Sequence, residues 1–293
     1  MNINVVCTTT AERIGEKLTK IKDLKVIFQE KNKEGKRYFP DGEVYTRISK
    51  INKLKGRTII LHSGAPRPND GLVELEMLLE TLRQSETNPI EIFFTYFPYG
   101  KQDNVFQEGE TNVAEDLVKK LIDYYDVKRI FTIDAHFAGR KWVNKYPLTN
   151  LSAVNLLIKA ALKDYPKAIF LPPDIGSQRR TGVRLRGLKK RRVDSYRVEI
   201  KSSEEFRNIV RGRVVGALDD MVETGATLIP FYDECVKYDA QEVIALITHG
   251  VLPEGIKKIK TKYSKLYLTN TIDRNEANVD ITDLVFNTIK KRF

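Results

Sequence analysis

The segment Val214–Leu228 groups polar side chains in a way that strand packing does not require. Its apolar run ends in two adjacent carboxylates, Asp219 and Asp220, and Thr224, Gly225, Ala226 and Thr227 follow just before a helical pattern. A Thr-Gly-Ala-Thr turn at a helix start offers backbone N–H groups, two hydroxyls and the positive end of the helix dipole. Together these can cradle a phosphate. The acids ahead of the turn can hold sugar hydroxyls or a divalent metal. Ordinary helix capping is the plainer alternative, yet it does not call for the paired acids.

Other residues qualify by type and context. Of three histidines, His136 follows Asp134 at the end of a strand-like run and precedes a loop, which points to a metal or phosphate contact. His249 reads as structural, and His62 has no assigned role. Phe39 is by default a core aromatic, but the Asp41-Gly42-Glu43 after it is of interest. Gly42 permits a tight turn that turns both acids outward, where they could accept hydrogen bonds from an adenine amino group. The stretch Arg179–Arg192 holds eight basic residues and no acidic one; without it, the chain's net charge of +11 falls to +3. Basicity confined to one patch suits a compact polyanion such as a nucleotide or sugar phosphate at least as well as a nucleic-acid duplex, and a solvated face is its bland alternative.

These residues need elements to position them. Short β-branched or aromatic runs alternate with longer helical ones. Ile3–Val6, Arg57–His62, Ile90–Tyr96 and Arg129–Asp134 read as strands, interleaved with helices over Thr10–Ile21, Leu72–Gln84 and Asn112–Tyr125. The theme repeats with strands at Lys167–Leu171, Arg213–Leu218, Glu242–Thr248 and Lys265–Thr269, and with helices at Leu151–Leu162 and from Thr227 to Lys237. Strand–helix alternation predicts an α/β protein with mainly parallel sheets flanked by helices, here in two domains, residues 1–146 and 147–293. In such sheets ligands bind beyond the carboxyl ends of the strands, where these polar residues fall. The 293 residues and 41% hydrophobic content suffice for two cores. Two cysteines cannot build a disulfide framework or a four-ligand zinc site. With no long apolar run and no leader ahead of the first strand, the expectation is a cytoplasmic protein with no membrane and no nucleic acid among its partners.

Val214–Leu228 resembles the phosphoribosyl diphosphate (PRPP) motif of type I phosphoribosyltransferases and of PRPP synthetases. Tyr38–Ile48 (YFPDGEVYTRI) resembles the Phe-x-Asp-Gly-Glu segment by which PRPP synthetases hold the adenine of ATP across a subunit interface. Tyr96–Asp103 (YFPYGKQD) is similar to their loop ending in Arg-Gln-Asp, and Phe131–His136 (FTIDAH) to their strand ending in Asp-x-His. Pro173–Arg180 (PDIGSQRR) and Thr248–Val251 (THGV) follow in family order. The resemblance is therefore to ribose-phosphate diphosphokinases, and it implies two type I phosphoribosyltransferase-like domains.

The resemblance implies transfer of the diphosphoryl group of ATP to C1 of ribose 5-phosphate, giving PRPP and AMP. Phe39, Asp41, Glu43, Lys101, Gln102, Asp103 and His136 would then serve ATP in the first domain. Asp219, Asp220, Thr224, Gly225, Ala226 and Thr227 would hold ribose 5-phosphate in the second. His136 and Asp174 would be metal-site residues for Mg²⁺, and Lys190 with Arg192 would be the catalytic pair on a loop that closes over the phosphates. Lys189 with Arg191 is the alternative register. Self-association is implied, as a dimer or a hexamer of dimers. The chain departs from the family pattern at Lys101 (usually Arg), at Asn104 (usually basic), at Ser177 (usually Gly) and in the shortened stretch from Arg180 to Lys190. Those departures raise one alternative, a non-catalytic PRPP-synthetase-like regulatory subunit.

Overall fold

A computed structural model describes residues 3–49, 51–85, 89–181, 188–192, 198–202 and 204–291, the segments 188–192 and 198–202 by backbone alone. The chain divides into two compact units, residues 1–151 with 282–293, and residues 152–281.

The first unit holds β1 (Ile3–Cys7), α1 (Glu12–Leu18), β2 (Leu24–Phe28), β3 (Thr58–Ser63), α2 (Pro68–Arg83), β4 (Ile90–Tyr96), α3 (Val113–Asp123), β5 (Arg129–Ile133) and β6 (Leu148–Leu151). Its six strands are all parallel, in the order β2-β1-β3-β4-β5-β6. Every residue of β3 and β4 is buried, as expected for central parallel strands covered on both faces. α2 starts with Pro68, which suits a first-turn position, and buries Leu75, Leu78, Leu79 and Leu82 at helical spacing. Asn112 caps α3, its side chain accepting from the Glu115 N–H at 3.2 Å while its amide donates to the Glu115 carboxylate.

The second unit holds α4 (Val154–Asp164), β7 (Ile169–Leu171), α5 (Ile175–Thr181), β8 (Leu188–Arg192), β9 (Val198–Ser202), α6 (Glu204–Val210), β10 (Val214–Val222), α7 (Leu228–Lys237), β11 (Glu242–Gly250), α8 (Pro253–Lys262) and β12 (Lys265–Leu268). Its main sheet is again parallel, in the order β12-β11-β10-β7. Strand alternation sends Val215 and Ala217 to a core shared with Phe206, Phe231 and Ile256. Leu218 goes to the opposite face, with Leu157, Leu246 and Tyr267. β8 and β9 form a separate antiparallel pair.

The last helix, α9 (Thr282–Ile289), belongs to the first unit, whereas the sequence-based division keeps residues 147–293 together. The return has a physical cause. Arg57, paired with Glu91 at 2.7 Å, donates from Nη1 to the carbonyls of Ile289 and Lys291 at the open carboxyl end of α9. A cation suits the negative pole of a helix dipole. Two further local differences appear. Residues 148–151 pair as strand β6 ahead of the helix that sequence periodicity starts at Leu151, and Lys190 and Arg192 lie in strand β8 rather than in a loop. Among the described residues no helix is long and apolar enough to cross a membrane.

Candidate functional site

In the second unit, α5 lays its side chains against the carboxyl half of β10. Asp219 and Asp220 are buried, 5% and 1% exposed, because they sit within the strand rather than beyond it. Ser177, in the first turn of α5, joins Asp174 to Asp219. Its N–H donates to Asp174 Oδ1 at 2.8 Å, and its hydroxyl donates to Asp219 Oδ1 at 2.7 Å. One turn on, the Arg180 guanidinium stands 2.8 Å from Asp220 Oδ1 and 3.6 Å from Asp219 Oδ1. Asp174, Asp219 and Asp220, read from sequence as separate metal and sugar groups, therefore share one buried network organised by Ser177 and Arg180.

The electrostatics of that network are uneven. Burial, with the negative charge of Asp220 beside it, raises the Asp219 carboxyl well above the usual carboxylate range, and Arg180 and Ser177 pull the other way. Burial works against the Arg180 charge, and Asp220 and Asp219 more than offset it. Arg180 thus holds together two acids that would otherwise repel.

The turn after β10 rests on α8. The Val251 N–H donates to the Val222 carbonyl at 2.9 Å, and Gly255 lies so close to Glu223 that a Cβ there would stand 1.9 Å from its carbonyl oxygen. Gly225 adopts φ +82°, a left-handed conformation that glycine takes without penalty. Thr224 and Ala226 are exposed and Thr227 half-buried; Thr227 occupies the N-cap of α7 without a side-chain capping bond. Thr224 and Ala226 are thus open to solvent immediately ahead of the α7 start, where helix N–H groups favour an anion. His249, beside Met221 in register, bonds through Nδ1 to the Thr271 hydroxyl at 2.8 Å, and Thr271 in turn donates to the Thr248 carbonyl. That web braces the ends of β11 and β12.

In the first unit, residues 38–44 form a tight hairpin, with Phe39 N–H donating to the Glu43 carbonyl at 2.8 Å and Gly42 at φ +93°. Asp41 and Glu43 are exposed, and Phe39 is 43% exposed with its ring edge-on to Tyr45. After β4, Lys101 and Gln102 are exposed while Asp103 is buried, both its oxygens bonded to Arg140 at 2.8 Å. After β5, His136 is half-buried in a loop entered through Asp134. His62 is fully buried under α2, bonded through Nδ1 to the Thr8 hydroxyl; burial alone lowers its pKa to about 3, so it stays neutral.

Residues 5–124 match the model of the N-terminal domain of ribose phosphate pyrophosphokinase. The chain is 30% identical to a ribose-phosphate pyrophosphokinase of Pyrococcus furiosus over 85% of its own length and 89% of that protein. A protein of the same name from Mesorhizobium japonicum is 30% identical over 85% of this chain and 82% of its own. The chain belongs to the ribose-phosphate pyrophosphokinase family. Its fold matches the crystal structure of phosphoribosylpyrophosphate synthetase from Mycobacterium smegmatis, with a TM-score of 0.80 at 21% identity over 99% of this chain and 98% of that one.

Two groups in this chain have roles that its sequence does not reveal. The sequence sets Arg180 at the end of the Pro173–Arg180 motif and in the basic run, and its helical spacing from Ser177 is a usable signal for their contact. Arg140 carried no signal, since its partner lies 37 residues away. The side chains of Lys190 and Arg192 lie outside the described residues; the backbone sets both on β8, and its partner β9 runs beside α7.

Proposed function

We propose that this chain is a working ribose-phosphate diphosphokinase: it moves the β,γ-diphosphoryl group of ATP as a unit onto ribose 5-phosphate. The C1 hydroxyl oxygen attacks the β-phosphorus, the bond from that phosphorus to the α–β bridging oxygen breaks, AMP leaves with the bridging oxygen, and the hydroxyl proton is released. The observation that carries this reading is the nearness of Asp219-Asp220 to a partly exposed Thr224–Thr227 turn in a chain aligned along most of its length with enzymes of that name. The non-catalytic alternative has no observation in its favour.

Diphosphoryl transfer asks a protein for positioning and charge neutralisation more than for covalent chemistry. The N–H groups and hydroxyls of Thr224, Gly225, Ala226 and Thr227 would receive the 5-phosphate. Asp219 and Asp220 would accept the ribose hydroxyls, which become their partners as Arg180 yields. Phe39, Asp41 and Glu43 would meet an adenine, and Lys101, Gln102 and His136 the triphosphate. The exposure of the Phe39 hairpin suits presentation to the ATP of a second copy, so a dimer or a hexamer of dimers would be the working form. A cytoplasmic location would give the enzyme both of these substrates.

Among the described residues no three His, Cys, Asp or Glu side chains converge on a metal position. That donor set still fits Mg²⁺, which takes one or two carboxylates and fills its shell with substrate phosphate oxygens and water. Asp174 would hold it directly or through water, and His136 would meet Mg-ATP in the first unit. When bound, the ion neutralises charge on the transferring phosphates.

Phosphorus NMR of the protein with Mg-ATP and ribose 5-phosphate tests the reading. AMP and PRPP should appear together without ADP; ADP, or neither product, overturns it. Lys190→Ala should lower turnover by about a hundredfold with little change in ATP affinity, the expected cost of losing a cation aimed at developing charge. If Lys189→Ala does this instead, the catalytic pair is Lys189 with Arg191.

A further inference from the structure

Two loops of the first unit meet at the carboxyl end of its sheet. Residues 97–103, after β4, carry Lys101 and Gln102; residues 134–142, after β5, carry His136. They are neighbours because β4 and β5 pair in register, Phe93 with Phe131 and Phe94 with Thr132. An aromatic stack lies beneath them: Phe97 meets Phe137 edge-on at 4.9 Å, and Phe137 meets Trp142 at 4.9 Å. A Cβ placed on Gly100 would stand 3.7 Å from the Phe137 ring and 3.8 Å from the His136 Cβ, so the two loops run close here.

Apolar packing is non-directional and sets no register between the two loops by itself. Two residues make the contact directional. Arg140 donates from Nε to one Asp103 oxygen and from Nη2 to the other, both at 2.8 Å, and Trp142 Nε1 donates to the Asp103 carbonyl at 3.3 Å. Asp103 is 3% exposed, and a buried carboxyl group needs hydrogen-bond partners of this kind. The loops also need restraint. Tyr99 at φ +55° and Asp134 at φ +38° occupy the left-handed region, which residues with a Cβ keep only when their surroundings insist.

We propose that Arg140 is a positioning residue, whose two-pronged bond to Asp103 locks the Lys101–Gln102 loop onto the loop presenting His136, so that these three groups meet the ATP phosphates in one arrangement. Asp103 is then the anchor of that clamp rather than a group that touches ATP. The inference rests on the proposed function, because it takes those three residues to face ATP.

A planar guanidinium spans both carboxylate oxygens in fixed geometry, whereas lysine offers a point charge on a flexible stem. Arg140→Lys should therefore fail to restore what Arg140→Met removes. In the full-length protein, Arg140→Met, Arg140→Lys and Asp103→Asn should each raise the KM for ATP by about tenfold or more, since small displacements of positioning groups are costly. The KM for ribose 5-phosphate should stay within about twofold, because its groups belong to the other unit. The double variant D103N/R140M should be no worse than the weaker single variant, as expected when two side chains act as one device.

Calorimetric titration with Mg-ATP provides a second measurement that does not depend on turnover, and the dissociation constant should rise with the KM. Unchanged ATP affinity in both R140M and D103N overturns the clamp. So does a parallel rise in both KM values with a fall in melting temperature, which marks general loosening. Wild-type protein that binds Mg-ATP, loses affinity in R140M and makes no AMP supports the clamp while refuting the proposed function. Normal wild-type turnover with indifferent variants does the reverse.

Discussion

Replacing Asp220 with alanine is expected to abolish the use of ribose 5-phosphate while leaving Mg-ATP binding intact. Asp220 is 1% exposed and lies 2.8 Å from Arg180, whose side chain is 16% exposed. Removing the acid takes away the proposed sugar-hydroxyl acceptor and leaves a largely buried guanidinium with the more distant Asp219 and the Ser177 hydroxyl. Breaking one side of a buried ion pair costs about 3–5 kcal/mol, so Asp220→Ala should also melt earlier. Asp220→Asn keeps the shape and separates the two effects. It should remain folded yet raise the KM for ribose 5-phosphate by about a hundredfold, roughly 3 kcal/mol of lost charged hydrogen bonding. Steady-state kinetics with calorimetry on Mg-ATP checks this, and a KM within a few-fold of wild type would show that the pair does not hold the sugar.

Asp219 should behave differently. Its carboxyl titrates well above 3.8 because it is buried beside Asp220, so the folded protein binds a proton that the unfolded chain releases. Stability from this group is therefore fully present below 3.8 and is lost as the pH rises through the folded value. Asn at this position can still accept from the Ser177 hydroxyl and the Asp220 N–H, which bond the same oxygen at 2.7 and 2.9 Å. Asp219→Asn is expected to raise the melting temperature at neutral pH, with the gain shrinking on acidification, while impairing ribose 5-phosphate use. A gain that grows on acidification would contradict the assigned direction. Stability would then have been sacrificed for binding, as is common where charge is held ready for a ligand.

Gly255→Ala carries the second large effect, and it begins in packing rather than chemistry. The new methyl would stand 1.9 Å from the Glu223 carbonyl oxygen and 2.6 Å from its carbon. Both are backbone atoms, so no rotamer change relieves the clash, and either α8 or the turn must move. Overpacking of this severity should cost about 3 kcal/mol or more, a fall in melting temperature of roughly 10 °C. Thr224 follows Glu223 directly, so a displaced turn also weakens ribose 5-phosphate binding. Gly139→Ala is the control, since nothing lies within 4 Å of the added methyl there, and it should stay within about 0.5 kcal/mol of wild type. Equal melting curves for the two variants would remove α8 as the support of the turn.

Much of this molecule is legible in its sequence because parallel α/β architecture is written locally. The buried runs of β3 and β4, the leucine spacing of α2 and the alternation of β10 each need only a short window, and together they dictate two parallel sheets covered by helices. The site residues could be nominated for the same reason. Asp219-Asp220, in the carboxyl half of β10, and the Thr224–Thr227 turn that leads into α7 stand close together in the chain, at the end of the strand where such sheets bind ligands.

Contacts between distant segments were decided only by the tertiary structure. Nothing in the spacing of fifty basic residues says that Arg180 pairs with Asp220, that Arg140 forks onto Asp103, or that Arg57 draws α9 back to the first unit. Exposed ion pairs are weak and interchangeable, so composition cannot choose among them. Burial makes the choice, because a charge withdrawn from water must find the partner that the folded strands and helices bring beside it.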